Sequence, residues 1–212
     1  SSSWEEKVEM GEGRSMGIEF LAQKNTGKTT GWIAYTLAKS DRQFENGKIN
    51  NGKRFPYKYD KRHNLNICVN HKFSDRFDIG ATWVFSTGGT VTVAEQRMNV
   101  IYPVGNGYLS EHFLEQNYIP KRNNFRLPCT HRLNLGVNFH KRVKRGEHTW
   151  NVSVFNAYNA MNPQLVFMEQ EVTGHEVIRP DGSFGYKEEV KNHLKTLTLL
   201  PCLPSFTYTF KF

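Results

Sequence analysis

The residues whose types could do chemistry are His63, His131 and His140, the cysteines Cys68, Cys129 and Cys202, and a ladder of amides. A metal site needs His or Cys at short ligand spacing, or carboxylates beside them, and these histidines have neither. They read as polar or interfacial histidines. The cysteines are odd in number and widely separated, so they form neither a disulfide framework nor a zinc pattern. No glycine-rich phosphate loop, Ser/His/Asp arrangement or metalloprotease helix is present, so an enzyme has no residues to stand on and no cofactor is expected. What remains is hydrogen bonding and stacking. Asn64, Asn66, Asn70, Asn134, Asn138 and Asn151, with Asp78 and Arg132, offer convergent polar groups of the kind that bind or line a path. Phe55, Tyr57 and Tyr59 could grip a sugar or chelate ring by stacking, or could form an interfacial belt.

The elements that must carry these residues are strands. From Leu65 to Phe73, Leu65, Ile67, Val69, His71 and Phe73 alternate with Asn66, Cys68, Asn70 and Lys72, a period of two. After Ser74-Asp75-Arg76 the alternation restarts with Phe77, Ile79, Ala81, Trp83 and Phe85 against Asp78, Gly80 and Thr82, so the two runs predict a hairpin. Met16, Ile18, Phe20 and Ala22 lead through Asn25-Thr26-Gly27-Lys28 to Ile33, Tyr35 and Leu37, although both faces here carry apolar residues. Leu133, Leu135, Val137 and Phe139 alternate with Arg132, Asn134 and Asn138, and a basic turn over 141–148 leads to Trp150, Val152 and Val154. Phe206, Tyr208, Phe210 and Phe212 close the chain. The count is about seven strands of about 9 to 12 residues, the length a tilted strand needs to cross a bilayer.

Short turns near 25–28, 74–76 and 141–148 alternate with long connections near 41–60, 88–129 and 160–202. Short periplasmic turns and long extracellular loops are the asymmetry of outer-membrane barrels. A soluble up-and-down barrel also alternates, but has no reason to gather its long loops at one end. The composition agrees. Only 38% of residues are hydrophobic while 13% are aromatic, and the mean hydropathy of -0.61 is compatible with a barrel, whose signal is periodic and not compositional. The net charge of +8 raises nucleic-acid binding. Its densest run, Lys141, Arg142, Lys144 and Arg145, falls in the predicted turn, without RNA-binding aromatic motifs or Cys/His fingers, so a nucleic-acid partner is not expected. The chain opens Ser1-Ser2-Ser3-Trp4 without a signal sequence, which is expected upstream. An odd number of strands cannot close a bacterial barrel of this type, so further strands are expected to precede these.

Several stretches resemble TonB-dependent outer-membrane receptors of the Bacteroidetes type. The run Gly13-Arg14-Ser15-Met16-Gly17-Ile18-Glu19-Phe20 with Gly31-Trp32-Ile33-Ala34-Tyr35 is similar to their Ser-x-Gly-x-Glu strand pair. Phe55-Pro56-Tyr57-Lys58-Tyr59-Asp60, Asn151-Val152-Ser153-Val154-Phe155-Asn156-Ala157-Tyr158-Asn159-Ala160-Met161-Asn162-Pro163 and the end Pro204-Ser205-Phe206-Thr207-Tyr208-Thr209-Phe210-Lys211-Phe212 resemble their closing strands.

The resemblance implies that residues 1–212 are the C-terminal part of the wall of a plugged barrel of about 22 strands. The plug and earlier strands would lie outside this sequence. It implies active uptake of a ferric chelate, cobalamin or glycan with TonB-transmitted energy; the alternative is a passive porin, adhesin or structural barrel. The implied partners are outer-membrane lipid, the TonB complex through the N-terminal part, and the assembly machinery, reading Phe206, Tyr208, Phe210 and Phe212 as a signal; a surface lipoprotein lid is left open. Asn64, Asn66, Asn70, Asp78, Arg132, Asn134, Asn138 and Asn151 would face the lumen, and Phe55, Tyr57 and Tyr59 would sit in an extracellular loop.

Overall fold

A computed structural model describes residues 8–100, 103–104, 108–109, 114–178, 180 and 183–212. Ser1 to Trp4 lie outside the described residues. The fold is all-β and antiparallel. Seven strands form one sheet in chain order: β1 (Glu12–Lys24), β2 (Thr29–Gln43), β3 (His63–Ser74), β4 (Phe77–Ser86), β5 (Thr130–Val143), β6 (Gly146–Phe155) and β7 (Leu203–Lys211). Phe55–Pro56 adds a short pairing to β2. Each strand neighbours the one before it, however long the intervening connection. Among the described residues the outer edges of β1 and β7 pair with nothing, so the sheet is open at both sides.

The register explains why these residues make this sheet. Phe20 lies opposite Tyr35, Tyr35 opposite Leu65, Leu65 opposite Phe85 and Phe85 opposite His131. Val137 in turn faces both Ile79 and Val152, and Val152 faces Phe206. Because side chains alternate across a strand, this registry puts every apolar phase on one face and every polar phase on the other. A slip of one residue at any seam would exchange the two. The ambiguity of the first hairpin is resolved: Ile18, Phe20, Ile33, Tyr35 and Leu37 join the apolar face, while Leu21, Trp32 and Ala34 take the polar one.

Among the described residues of the unit that holds this sheet, no second layer covers the apolar face. Phe55 is the one hydrophobic side chain buried among the described residues, whereas Phe206 is 66% exposed, Phe20 64% and Val152 47%. The buried groups are instead polar: Asp41, Asp60, Ser86, Thr90 and Asn156. This inverts the usual soluble arrangement.

Aromatic rings border the apolar face at both ends. Beside the short turns Phe73, Phe77 and Phe139 form a chain with centroids 5.4 and 5.3 Å apart, and Trp150 meets Tyr208 at 5.9 Å. Towards the long connections Trp83 stacks on Phe85, Trp83 Nε1 donates to the Tyr158 hydroxyl at 3.1 Å, and Tyr158 and Tyr35 pair with His131 and His63. Between them the face is largely aliphatic. Phe139 and His131 are eight positions apart on β5, roughly 27 Å along the strand.

Several boundaries differ from expectation. The strands run from 9 to 15 residues, and the turns shrink to Asp75-Arg76 and Lys144-Arg145, because the pairing extends to Val143↔Gly146. Lys141 and Arg142 therefore lie in β5, not in a turn. The last strand stops at Lys211, so Phe212 is beyond it. The connections are also more structured than loops. In the first unit, Thr90–Val91 pairs with Phe125–Arg126. The second unit covers Val93–Ile119 and Pro163–Thr198. It holds a ribbon of Leu165–Ile178 against Phe184–Leu197, with Glu169 paired to Lys195 and Glu171 to His193. Charges interrupt the apolar phase of the ribbon, which hides its period in the sequence.

Gly31 is required where β2 meets β3, since a Cβ there would lie 2.1 Å from the Cys68 carbonyl oxygen, whereas Gly80 faces open space. Gly31→Ala is expected to weaken the β2/β3 seam by about 1–3 kcal/mol through overpacking, and Gly80→Ala to be neutral. Hydrogen exchange at the Gly31 to Ile33 amides in the folded protein measures the difference.

Candidate functional site

The polar face carries all eight expected binding residues. Asn64, Asn66 and Asn70 on β3, Asp78 on β4, Arg132, Asn134 and Asn138 on β5 and Asn151 on β6 share one side of the sheet. They do not form one constellation. Towards the short turns, Asn151 Nδ2 donates to Asn138 Oδ1 at 2.7 Å, and Asn138 Nδ2 donates to Asp78 Oδ1 at 2.8 Å. His140 Nε2 lies 2.6 Å from Asp78 Oδ2, and its Nδ1 lies 3.0 Å from Thr149 Oγ1. Glu147 stands 3.8 Å from the same Nδ1.

Three strands are thus tied by a chain in which each group answers its neighbour. Such a chain fixes a polar wall but leaves no nucleophile and no vacant ligand set. No group of three or more His, Cys, Asp or Glu able to hold a metal occurs among the described residues. His140, read from the sequence as a polar or interfacial histidine, is the second link at Asp78. Thr149 and Glu147 were not foreseen as its partners, although the β5/β6 register brings them alongside.

The remaining polar residues divide by role. Asn134 Oδ1 accepts the Asn156 N–H at 3.1 Å and is structural. Asn66 and Asn64 meet at a long 3.4 Å. Arg132 lays its guanidinium over Phe155, 4.7 Å from the ring centroid, and its buried Nε has no partner. That Nε is the one buried side-chain polar atom without a hydrogen-bond partner among the described residues. Asn70 borders a cavity of about 310 Å³ with Gln23, Thr30 and Trp32. Trp32 was missed as a polar-face residue because its own strand carries apolar residues on both sides. His63 and His131 lie on the apolar face, each held by a tyrosine hydroxyl at 2.8 and 2.9 Å.

The aromatic run in the first connection is dismantled by the structure. Phe55 is buried, stacks on Phe44 at 6.1 Å and belongs to the short pairing with β2, so it cannot offer its ring to a ligand. Tyr57 is half-buried beneath Arg42, 3.9 Å from its centroid. Tyr59 alone of the three is exposed. The strand-end aromatics Phe206, Tyr208 and Phe210 lie together on the apolar face of β7, and Phe212 is fully exposed.

Beside Tyr59 sits the anchor of the connections in the first unit. Asp60, 1% exposed, accepts the Ser40 N–H at 2.6 Å, Arg126 Nη2 at 2.5 Å and Arg62 Nε at 3.0 Å. Arg126 Nη1 also donates to the carbonyls of Asp60 and Gly88. Burial opposes ionisation of Asp60, but the Ser40 amide and the Arg126 and Arg62 guanidiniums outweigh it and hold the carboxyl below its ordinary value. At the end of β6, Asn156 takes a left-handed conformation (φ 54°). Its amide bonds both polar atoms of Ala160 and the Leu200 carbonyl. Asn162 grips the His131 N–H and C=O at 2.8 Å each, in place of a neighbouring strand.

No protein-family model, curated protein or solved structure matches the chain.

Because its pKa is lowered, Asp60 stabilises the connections fully above its unfolded value near 3.8. That contribution is lost as pH falls through the lower folded value. Asp60→Asn is expected to abolish it at all pH, leaving two guanidiniums unmatched at a cost of roughly 3 kcal/mol. Hydrogen exchange should accelerate at the Ser40 and Leu127 amides while the centre of β5 stays protected.

Proposed function

We propose that this sheet is a section of the wall of an antiparallel transmembrane β-barrel in a bacterial outer membrane. It belongs, on this reading, to a transporter of the TonB-dependent type that takes up a scarce nutrient. The observation that carries the reading is the uncovered apolar face, aliphatic in the middle and ringed by aromatics at both ends, on a sheet whose buried residues are polar. In water that face would be a penalty of about 25 cal/mol for each Å² left exposed. In hydrocarbon it needs no second layer.

The arrangement of connections supports the orientation. The three two- to four-residue turns fall at one end and the three long connections at the other, as periplasmic turns and extracellular loops do. The two open edges support a larger ring, because an unpaired strand edge in lipid costs several kcal/mol per amide. Further strands of the full-length protein would pair with β1 and β7. The polar face then lines the interior, where the Asp78–Asn138–Asn151 chain and Arg132 present fixed hydrogen-bonding groups to whatever fills or crosses the lumen. Those groups bind and orient; they perform no covalent step. Energy coupling through TonB rests on the family resemblance, and a full-length sequence holding a plug would separate it from a passive porin or structural barrel.

Spin labels at Ile67, Ile79, Leu135, Val137 and Val152 in the reconstituted full-length protein are expected to be broadened by oxygen dissolved in the bilayer. Labels at Asn66, Asn138 and Asn151 should respond to a water-soluble relaxer. The opposite pattern would reverse inside and outside, and aqueous access to both sets would remove the membrane reading.

The exposed aromatics of β7 offer an edge for β-augmentation during assembly. Deleting Phe212 should lower the amount inserted in the outer membrane without lowering the heat-resistance of the inserted fraction. Unchanged abundance with reduced heat-resistance would make Phe212 an interfacial packing residue only.

A further inference from the structure

The basic residues that gave the chain its high charge have no part in the reading so far, and the fold brings them together. Lys24 and Lys28 flank the first turn, Arg76 is in the second, and Lys141, Lys144 and Arg145 surround the third. All six are exposed, and none is ion-paired among the described residues. The carboxylates nearby are already engaged. Asp75 pairs with Lys72 at 2.8 Å, and Asp78 and Glu147 both face His140. Towards the long connections Arg54 pairs with Asp41, and Arg62 and Arg126 share Asp60. At the short-turn end the six cations stand without an acid partner among the described residues.

Their placement is as informative as their sign. On β5 the apolar face runs Val137, Phe139, Lys141, and on β1 it runs Phe20, Ala22, Lys24. On β5 a lysine thus follows directly beyond the aromatic border and on β1 one follows beyond Ala22, each on the apolar face, where a long stem can lie along apolar surface and deliver its ammonium to the headgroup level. Successive short turns are two strands apart, roughly 10 Å, so the cations form a line about 20 Å long across three hairpins. A single small anion cannot span that line. A row of headgroups can.

We propose that this rim binds the anionic phospholipid headgroups of the leaflet that meets the short turns. The proposal rests on the membrane reading above and adds a lipid preference to it. Each basic residue near an anionic membrane surface contributes about fivefold in affinity. The attraction extends about 8 Å at physiological salt, so it depends on ionic strength.

The test is native mass spectrometry of the full-length protein in detergent with equal phosphatidylglycerol and phosphatidylcholine. The wild type should retain phosphatidylglycerol preferentially, and added salt should erase the preference, whereas millimolar inorganic phosphate should not. The Lys141→Gln, Lys144→Gln, Arg145→Gln triple variant should lose on the order of a hundredfold of it. If that variant loses heat-resistance, Lys24→Gln with Lys28→Gln provides the same test on the first turn. Equal retention of the two lipids, or a preference untouched by both variants, would overturn the proposal. So would capture of soluble polyglutamate without a lipid preference, which would assign the rim to an acidic protein. A spin label at Val137 keeps the two readings apart: bilayer oxygen at Val137 with no lipid preference sinks this proposal alone.

Discussion

The sheet depends first on backbone hydrogen bonds between neighbouring antiparallel strands. A soluble sheet is locked by the side chains of a second layer. Here the ladder, joined by cross-strand links such as Asp78–Asn138–Asn151 on the polar face, supplies both the stability and the register. Register then decides the chemistry. With a side-chain period of two, the pairing of Val137 with both Ile79 and Val152 fixes at once which seven apolar phases form one surface and which asparagines form the other. Glycines matter in such a wall for the same reason. Gly31 sits where two backbones approach too closely for any side chain, and no hydrophobic core stands behind them to make good a lost bond.

Packing in the usual sense is confined to the connections, and it is polar. Asp60 and Asn156 are the most completely buried side chains among the described residues. Each gathers backbone groups that a strand ladder would otherwise have paired. Asp60 joins two connections to the end of β2 through two arginines, and Asn156 turns the chain out of β6 while keeping Ala160 and Leu200 satisfied. A buried carboxylate or amide tolerates this only when fully hydrogen-bonded. Both meet that condition, so the long connections of this unit are anchored at their bases by directional bonds instead of apolar contact.

Much of the sheet was legible in the sequence because period-two alternation survives wherever one face stays apolar. The hairpin of β3 and β4 could be placed almost residue by residue from Leu65, Ile67 and Val69 against Asn64, Asn66 and Asn70. The polar face was legible for the same reason, since its eight members were chosen by phase. What sits across the seams was not. The meeting of His140 with Asp78 joins residues far apart in the chain and requires the β4/β5 register, which no local pattern encodes. The ribbon from Leu165 to Leu197 was hidden by charges in its apolar phase, and the burial of Phe55 by its position in a stretch whose neighbours look like an exposed loop. Asp60 gave little local sign, because apart from Arg62 its partners come from Ser40 and Arg126, far from it on either side in sequence.

The alternation of short turn and long connection makes the hairpin, not the strand, the unit in which such a wall can grow or shrink. Inserting or deleting one hairpin would leave every other turn on its own side and every other connection on the opposite one. Inserting or deleting a single strand would hand all later connections to the wrong side of the sheet. The width of the sheet is therefore restricted to steps of two strands. Duplication of a hairpin such as β3–β4 is an inheritable change of width that keeps both faces, both aromatic borders and the charged turns in place.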